Sequence, residues 1–241
     1  MVPGLIILLE SSHVIPSEPL IIVAVATSLA TIILTSLSAA YAQIKAQRVN
    51  WTVARRFAPA LVVGSALAPL VAINLSEGLL RLTVGLFFFV IAVIILIQWK
   101  PGATRELPGR LASVVIALIA GLISGIAGIG GGNVIVPTLI YFNVAVHRAT
   151  ATASALGLPL ALAGTLSYII RGYGQTSNDG MIGYVYLPAW VAMSITATVM
   201  APVGVRLAQK VSPQKMRQFF ACLLIVVTLR LLWPVLFPSG A

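Results

Sequence analysis

Charge is what this sequence lacks most. Only 8% of its 241 residues are Asp, Glu, Lys or Arg, against roughly 25% in soluble globular domains. So few charges cannot cover a water-facing surface around this much Leu, Ile, Val and Ala, which excludes a soluble fold. Acidic residues are scarcer still: Glu10, Glu18, Glu77, Glu106 and Asp179. None falls in the middle of an apolar run, so a buried carboxylate proton relay has no candidate. Cysteine occurs once, at Cys222, which removes intrachain disulfides and, alone, zinc binding. His13 and His147 lie far apart, with no acidic cluster beside either. An enzyme embedded in a membrane would need a nucleophile, a metal or an acid–base pair, so neither catalysis nor a cofactor is expected. The stretch Met1 to Leu9 has no basic segment and is short, and no cleavable signal is expected.

What is present is apolar. Hydrophobic residues make up 59% of the chain, and the mean hydropathy is +1.05. A spanning helix needs about 20 mostly apolar residues. Such runs occur at Pro19–Gln43, Trp51–Ile73, Gly78–Trp99, Leu111–Phe142, Ala145–Ile170, Tyr184–Leu207 and Met216–Phe237. The net charge of +10 would suggest nucleic-acid binding in a soluble protein. Here Lys and Arg fall between the runs, where they set orientation and meet lipid headgroups. The fold expected is an all-α integral membrane protein, a polytopic bundle of about seven transmembrane helices.

The runs look duplicated. Gly64-Ser-Ala-Leu-Ala can be laid on Met200-Ala-Pro-Val-Gly, which pairs Ala72 with Ala208, Ser76 with Ser212 and Arg81 with Arg217 at one spacing of 136 residues. Val2-Pro3 matches Val136-Pro137, and Ala24-Val-Ala-Thr27 matches Ala149-Thr-Ala-Thr152. The division expected is a first repeat over 1–100, an inter-repeat loop over 101–110 and a second repeat over 111–241. A full apolar run precedes Val136-Pro137 but not Val2-Pro3. The first repeat is therefore expected to lack its first helix, or the start to be placed too far downstream.

The second repeat carries the most informative stretch, Gly121-Leu-Ile-Ser-Gly-Ile-Ala-Gly-Ile-Gly-Gly-Gly-Asn-Val-Ile-Val-Pro137. Glycine costs about 1 kcal/mol against alanine in a helix interior, so Gly130, Gly131 and Gly132 together should break the run. Pro137 removes a further backbone donor. Broken backbone inside a bilayer is tolerated only where protein buries it or it lines a cavity. Its free amides, beside the positive end of the next half-helix, suit an anion. Gly121, Gly125 and Gly128 with Ser124 also form small-xxx-small spacings, which serve close helix packing. Beyond the break, Thr150, Thr152 and Ser154 offer hydroxyls that either bind an oxyanion or bond back to their own helix carbonyls. Thr27 and Ser28 occupy the equivalent place in the first half.

The pattern Ser-Gly-x-x-Gly-x-Gly-Gly-Gly-x-x-x-x-Pro at Ser124–Pro137, followed by an Ala-Thr-rich helix start, resembles the sulfite exporter TauE/SafE family of membrane permeases. Val2-Pro3 and Ala24-Val-Ala-Thr-Ser-Leu29 look like that family's first repeat. The resemblance implies two four-helix repeats with broken helices in the bacterial cytoplasmic membrane. It also implies transport, in the export direction, of a small anion such as sulfite or a sulfonate. Candidate substrate-binding residues are Gly130, Gly131, Gly132, Asn133, Pro137, Thr150, Thr152, Ser154, Thr27 and Ser28. Expected partners are a small anionic substrate and membrane lipid; a second copy of the chain stays open as a further partner. The alternatives are a non-transporting membrane subunit and a carrier of a different small anion in the uptake direction.

Charge leaves one question open. Lys45, Arg48, Arg55, Arg56, Lys100, Arg105 and Arg110 mark one side in the first half. If every run crosses once, Arg148 falls on the other. Either Leu111–Phe142 turns back at the glycines without crossing, or the first half dominates and the second tolerates the mismatch.

Overall fold

The computed structural model describes residues 2, 4–6, 20–97, 108–175 and 180–210, with 218, 221–226, 228–229 and 232–233 toward the C-terminus. Rich in Leu, Ile, Val and Ala, the described residues are helical nearly throughout. The helices are α1 (Leu20–Lys45), α2 (Trp51–Asn74), α3 (Glu77–Ile97), α4 (Arg110–Ala127), α5 (Gly132–Tyr141), α6 (Val146–Gly172) and α7 (Leu187–Lys210). A two-stranded antiparallel hairpin, β1 (Met181–Ile182) and β2 (Val185–Tyr186), leads into α7. Among the described residues, five helices are long and apolar enough to cross a bilayer: α1, α2, the 77–94 portion of α3, α4 and α6. The run Met216–Phe237 lies mostly outside the described residues, as do Pro3, His13 and four of the five acidic residues, Glu10, Glu18, Glu106 and Asp179.

Two compact units form. One contains residues 1–74 and 101–194; the other contains 75–100 and 195–241. In the second, α3 packs against C-terminal helical residues: Gly85 lies under the Leu232 side chain, and Thr228 donates to the Gly85 carbonyl at 3.4 Å.

The first unit is held by close backbone approach. A Cβ on Gly64 would run into the Leu118 carbonyl oxygen, and one on Gly121 into the Leu61 carbonyl oxygen. Only glycine lets α2 and α4 come this near, as small residues do in membrane helix pairs. Gly125 continues the seam against Ser65 and Ala68. Contacts in the order Leu61–Gly121, then Ala68–Gly125, make α2 and α4 parallel. The order Leu29–Gly164, then Ser36–Gly157, makes α1 and α6 antiparallel. α6 is tied to α2 by Ser65 donating to Leu160 O (2.9 Å) and Ser167 donating to Ala66 O (2.6 Å), and to α4 by Tyr168 donating to Gly125 O (3.3 Å).

The glycines reverse the chain. Gly128 lies against Val25, Gly130 against Ile32 and Gly131 against Leu160. Each step moves down α1 and back toward the start of α6, away from the Tyr168 level where α4 ends. α5 then runs antiparallel to α6, joined to it by a turn with Asn143 at φ 60°. The run Leu111–Phe142 is therefore a helical hairpin. Its second arm, 10 residues, rises about 15 Å, half of a bilayer core of about 30 Å.

This reversal answers the charge question. The Asn50 amide donates to Thr152 Oγ1 at 3.0 Å, which brings the start of α6 to the turn between α1 and α2. Arg56 donates to the Pro108 carbonyl beside the start of α4. Lys45, Arg48, Arg55, Arg56, Arg110 and Arg148 thus share one end of the unit. Arg171, in the last turn of α6, stands at the other.

A candidate anion site at the helix break

α4 ends because Gly128 takes a left-handed conformation, φ 63°, that a side chain would strain. The amides of Gly128 and Ile129 both turn back to the Ser124 carbonyl. Gly131 caps α5, its carbonyl accepting from Ile135 N at 2.7 Å and Val134 N at 3.3 Å. Between these two sets, the amides of Gly130, Gly131 and Gly132 have no backbone acceptor among the described residues. An unpaired amide away from water costs free energy comparable to a lost hydrogen bond. Three in succession at a helix N-terminus, where the peptide dipoles sum to a partial positive charge, form an anion cradle.

Its depth is set by its neighbours. Ile32 lies midway along α1 and Leu160 midway along α6, so the amides open near the middle of two spanning helices. A Cβ on Gly132 would meet nothing within 4 Å, whereas those on Gly130 and Gly131 would touch Ile32, and Ile135 with Leu160. Open space therefore faces Gly132. Ser28, fully buried, donates to the Gly128 carbonyl at 2.9 Å. That bond occupies an acceptor left over at the end of α4, beside a row of donors. Pro137 lies inside α5, where it removes one more internal bond from the short arm. No charged side chain is among the buried residues described.

The remaining candidates lie elsewhere. Thr150 donates to Val146 O, Thr152 to Arg148 O and Ser154 to Thr150 O, at 2.9, 2.7 and 3.0 Å. Thr152 is eight residues before Leu160, about 12 Å along the helix axis. The hydroxyls of this run therefore bond to their own helix at its outer end, and Thr152 also receives the Asn50 amide. Thr27 plays the matching part: its Oγ1 accepts from the Tyr186 amide at 3.0 Å. Asn50 precedes α2 and Tyr186 precedes α7, so each threonine holds the backbone entering another helix. Of the ten candidates, Gly130, Gly131, Gly132 and Ser28 meet at the break, with Asn133 and Pro137 following in α5; Thr27, Thr150, Thr152 and Ser154 do not join them.

Two buried hydroxyls escaped notice in the sequence. Ser124 Oγ and Thr165 Oγ1 have no partner among the described residues. Ser124 opens the glycine motif, where its size suggested packing alone. Thr165 stands in no motif, and nothing in its spacing distinguishes it.

A model of the sulfite exporter TauE/SafE family matches residues 1–231. A probable membrane transporter protein of Haemophilus influenzae is 28% identical over 233 residues, covering 96% of this chain and 88% of that one. One from Methanocaldococcus jannaschii is 27% identical over 213 residues, 87% of this chain and 78% of its own. In Arabidopsis thaliana, sulfite exporter TauE/SafE family protein 1 is 28% identical over 96 residues, 39% of this chain and 21% of its own. No solved structure matches. With a multi-pass helical fold and a family match over nearly its whole length, this chain belongs to the sulfite exporter TauE/SafE family, a family of membrane transporters.

Proposed function

We propose that this protein is a secondary carrier for a small anion of the sulfite or sulfonate class, and that it works in export. The observation that carries the reading is the row of three unpaired amides, Gly130 to Gly132, opening near mid-depth beside open space at Gly132. Half-helix N-termini at that depth are where many secondary transporters hold anionic groups. Ser28 supports it by occupying the nearby Gly128 carbonyl, so that donors predominate at the mouth. The sulfur-oxyanion part of the reading draws on the family's description.

The same reading makes the end bearing Lys45, Arg48, Arg110 and Arg148 cytoplasmic, by the positive-inside rule. It also treats the two halves as related by duplication with opposite orientation. The reciprocal bonds of Thr27 with Tyr186 and of Thr152 with Asn50 favour that relation. Flux into or out of vesicles containing the purified protein, with sulfite, methanesulfonate and acetate as probes, tests the function. Saturable flux of the first two is expected; no flux above that of empty vesicles for any probe would overturn it.

A further inference from the structure

Helix hydroxyls in this chain have a strong habit. Thr31, Thr83, Ser113, Thr138, Thr150, Thr152 and Ser154 each donate to the carbonyl four residues earlier. Such back-bonding satisfies a hydroxyl where no water can. Ser124 and Thr165 break the habit. Ser124 is 0% exposed and Thr165 5% exposed, yet neither hydroxyl has a partner among the described residues. A buried polar atom left unpaired is costly and calls for an explanation.

The two come from different helices to one level of the unit. Ser124 adjoins Gly125, whose carbonyl accepts the Tyr168 hydroxyl. Thr165 lies three residues before Tyr168, on the same face of α6. Gly164, next to Thr165, packs on Ser65, which in turn lines Gly125. Ser65 of α2, Ser124 of α4, and Thr165 and Tyr168 of α6 therefore stand at about one level of the unit. This level lies between the amide cradle and the end of α6 that carries Arg171, because Gly131 sits against Leu160 further back.

We infer that Ser124 and Thr165 form a second station for the transported anion, one step from the cradle toward the Arg171 end. The inference rests on the carrier reading. Its ligand is a small monovalent anion with oxygen acceptors. The two hydroxyls provide donors without charge, and no buried cation is described that would offset a second negative charge. Ser65 and Tyr168 keep the station's shape by bonding to backbone carbonyls, so their own protons are already committed.

The test uses Ser124→Ala, Thr165→Val and Thr165→Ser in the full chain, with methanesulfonate as probe. Two quantities are read: the concentration dependence of flux in vesicles, and the unfolding temperature in detergent with and without methanesulfonate. Ser124→Ala and Thr165→Val are expected to raise KM about tenfold or more and to abolish the anion-induced rise in unfolding temperature; about 1.4 kcal/mol of binding corresponds to each tenfold. Thr165→Ser, which keeps the hydroxyl, is expected to behave as wild type. Without anion, both deletions should unfold at the wild-type temperature or above it, since a lost unpaired hydroxyl removes a cost. Unchanged KM and unchanged anion response in both deletions would overturn the inference. So would a loss of anion-free stability in step with the loss of flux, which would make the hydroxyls packing or structural-water groups. If wild type shows no flux but a methanesulfonate-induced shift that the deletions lose, the carrier reading fails and the station stands. No shift in wild type overturns the station.

Discussion

Replacing Gly132 by Ala separates a glycine kept for open space from one kept for packing. Gly132 opens α5 outside the left-handed region, and an added Cβ meets nothing within 4 Å. Ala is the better helix former by up to about 1 kcal/mol. Gly132→Ala should therefore fold as well as wild type or slightly better. Its methyl group, however, enters the open space beside the unpaired amides. Displacing one charge-assisted hydrogen bond, worth about 1.5–3 kcal/mol, raises KM about tenfold or more. Gly121→Ala is the control. Its Cβ would enter the Leu61 carbonyl oxygen, and backbone cannot yield without parting α2 from α4. Overpacking of this kind costs about 1–3 kcal/mol or more, so Gly121→Ala should lose stability first and flux only as a consequence. Unfolding temperature in detergent and KM for methanesulfonate in vesicles read the two effects. Wild-type KM in Gly132→Ala, or instability equal to that of Gly121→Ala, would refute the assignment of open space to the site.

Ser28→Ala leaves the buried Gly128 carbonyl without its donor, at a cost of about 1–3 kcal/mol. It also exposes an acceptor to the anion, so stability and affinity should fall together, seen by unfolding temperature and KM. Thr27→Val and Thr152→Val strip the acceptor from the Tyr186 and Asn50 amides. Each should cost about 1–3 kcal/mol of stability and leave KM for methanesulfonate unchanged; a raised KM would make these threonines ligands after all. Single cysteines at Arg48, Ala145 and Tyr173, in a Cys222→Ser background, test the reversal at the glycines. Arg48 and Ala145 should react with an impermeant thiol reagent from one side and Tyr173 from the other. Reaction of Tyr173 from the same side as Arg48, with Ala145 reacting from the opposite side, would mean that the run crosses.

Membrane helices were plain in the sequence because twenty charges cannot solvate such a surface, and apolar runs have a length the bilayer dictates. The break was visible too: three consecutive glycines in an apolar run have a local physical meaning that needs no tertiary knowledge. Its direction was not. Leu111–Phe142 reads equally as one long crossing or as two arms, and only Gly130 against Ile32 and Gly131 against Leu160 show the chain turning back. Thr150, Thr152 and Ser154 illustrate another limit. A hydroxyl on a helix has two outlets, its own carbonyl or a ligand, and spacing cannot choose between them. The converse holds for Ser124, whose small size fits packing while its unpaired hydroxyl points to chemistry.

The most direct test of the central claim is efflux of sulfite from loaded vesicles containing wild type, Gly132→Ala or Thr27→Val. The amide cradle predicts saturable efflux from wild type, inhibited by external methanesulfonate. It predicts efflux near the wild-type rate from the folded fraction of Thr27→Val, and near-background efflux from well-folded Gly132→Ala at low sulfite. Equal efflux from wild type and Gly132→Ala, or none above empty vesicles from any of the three, would contradict it.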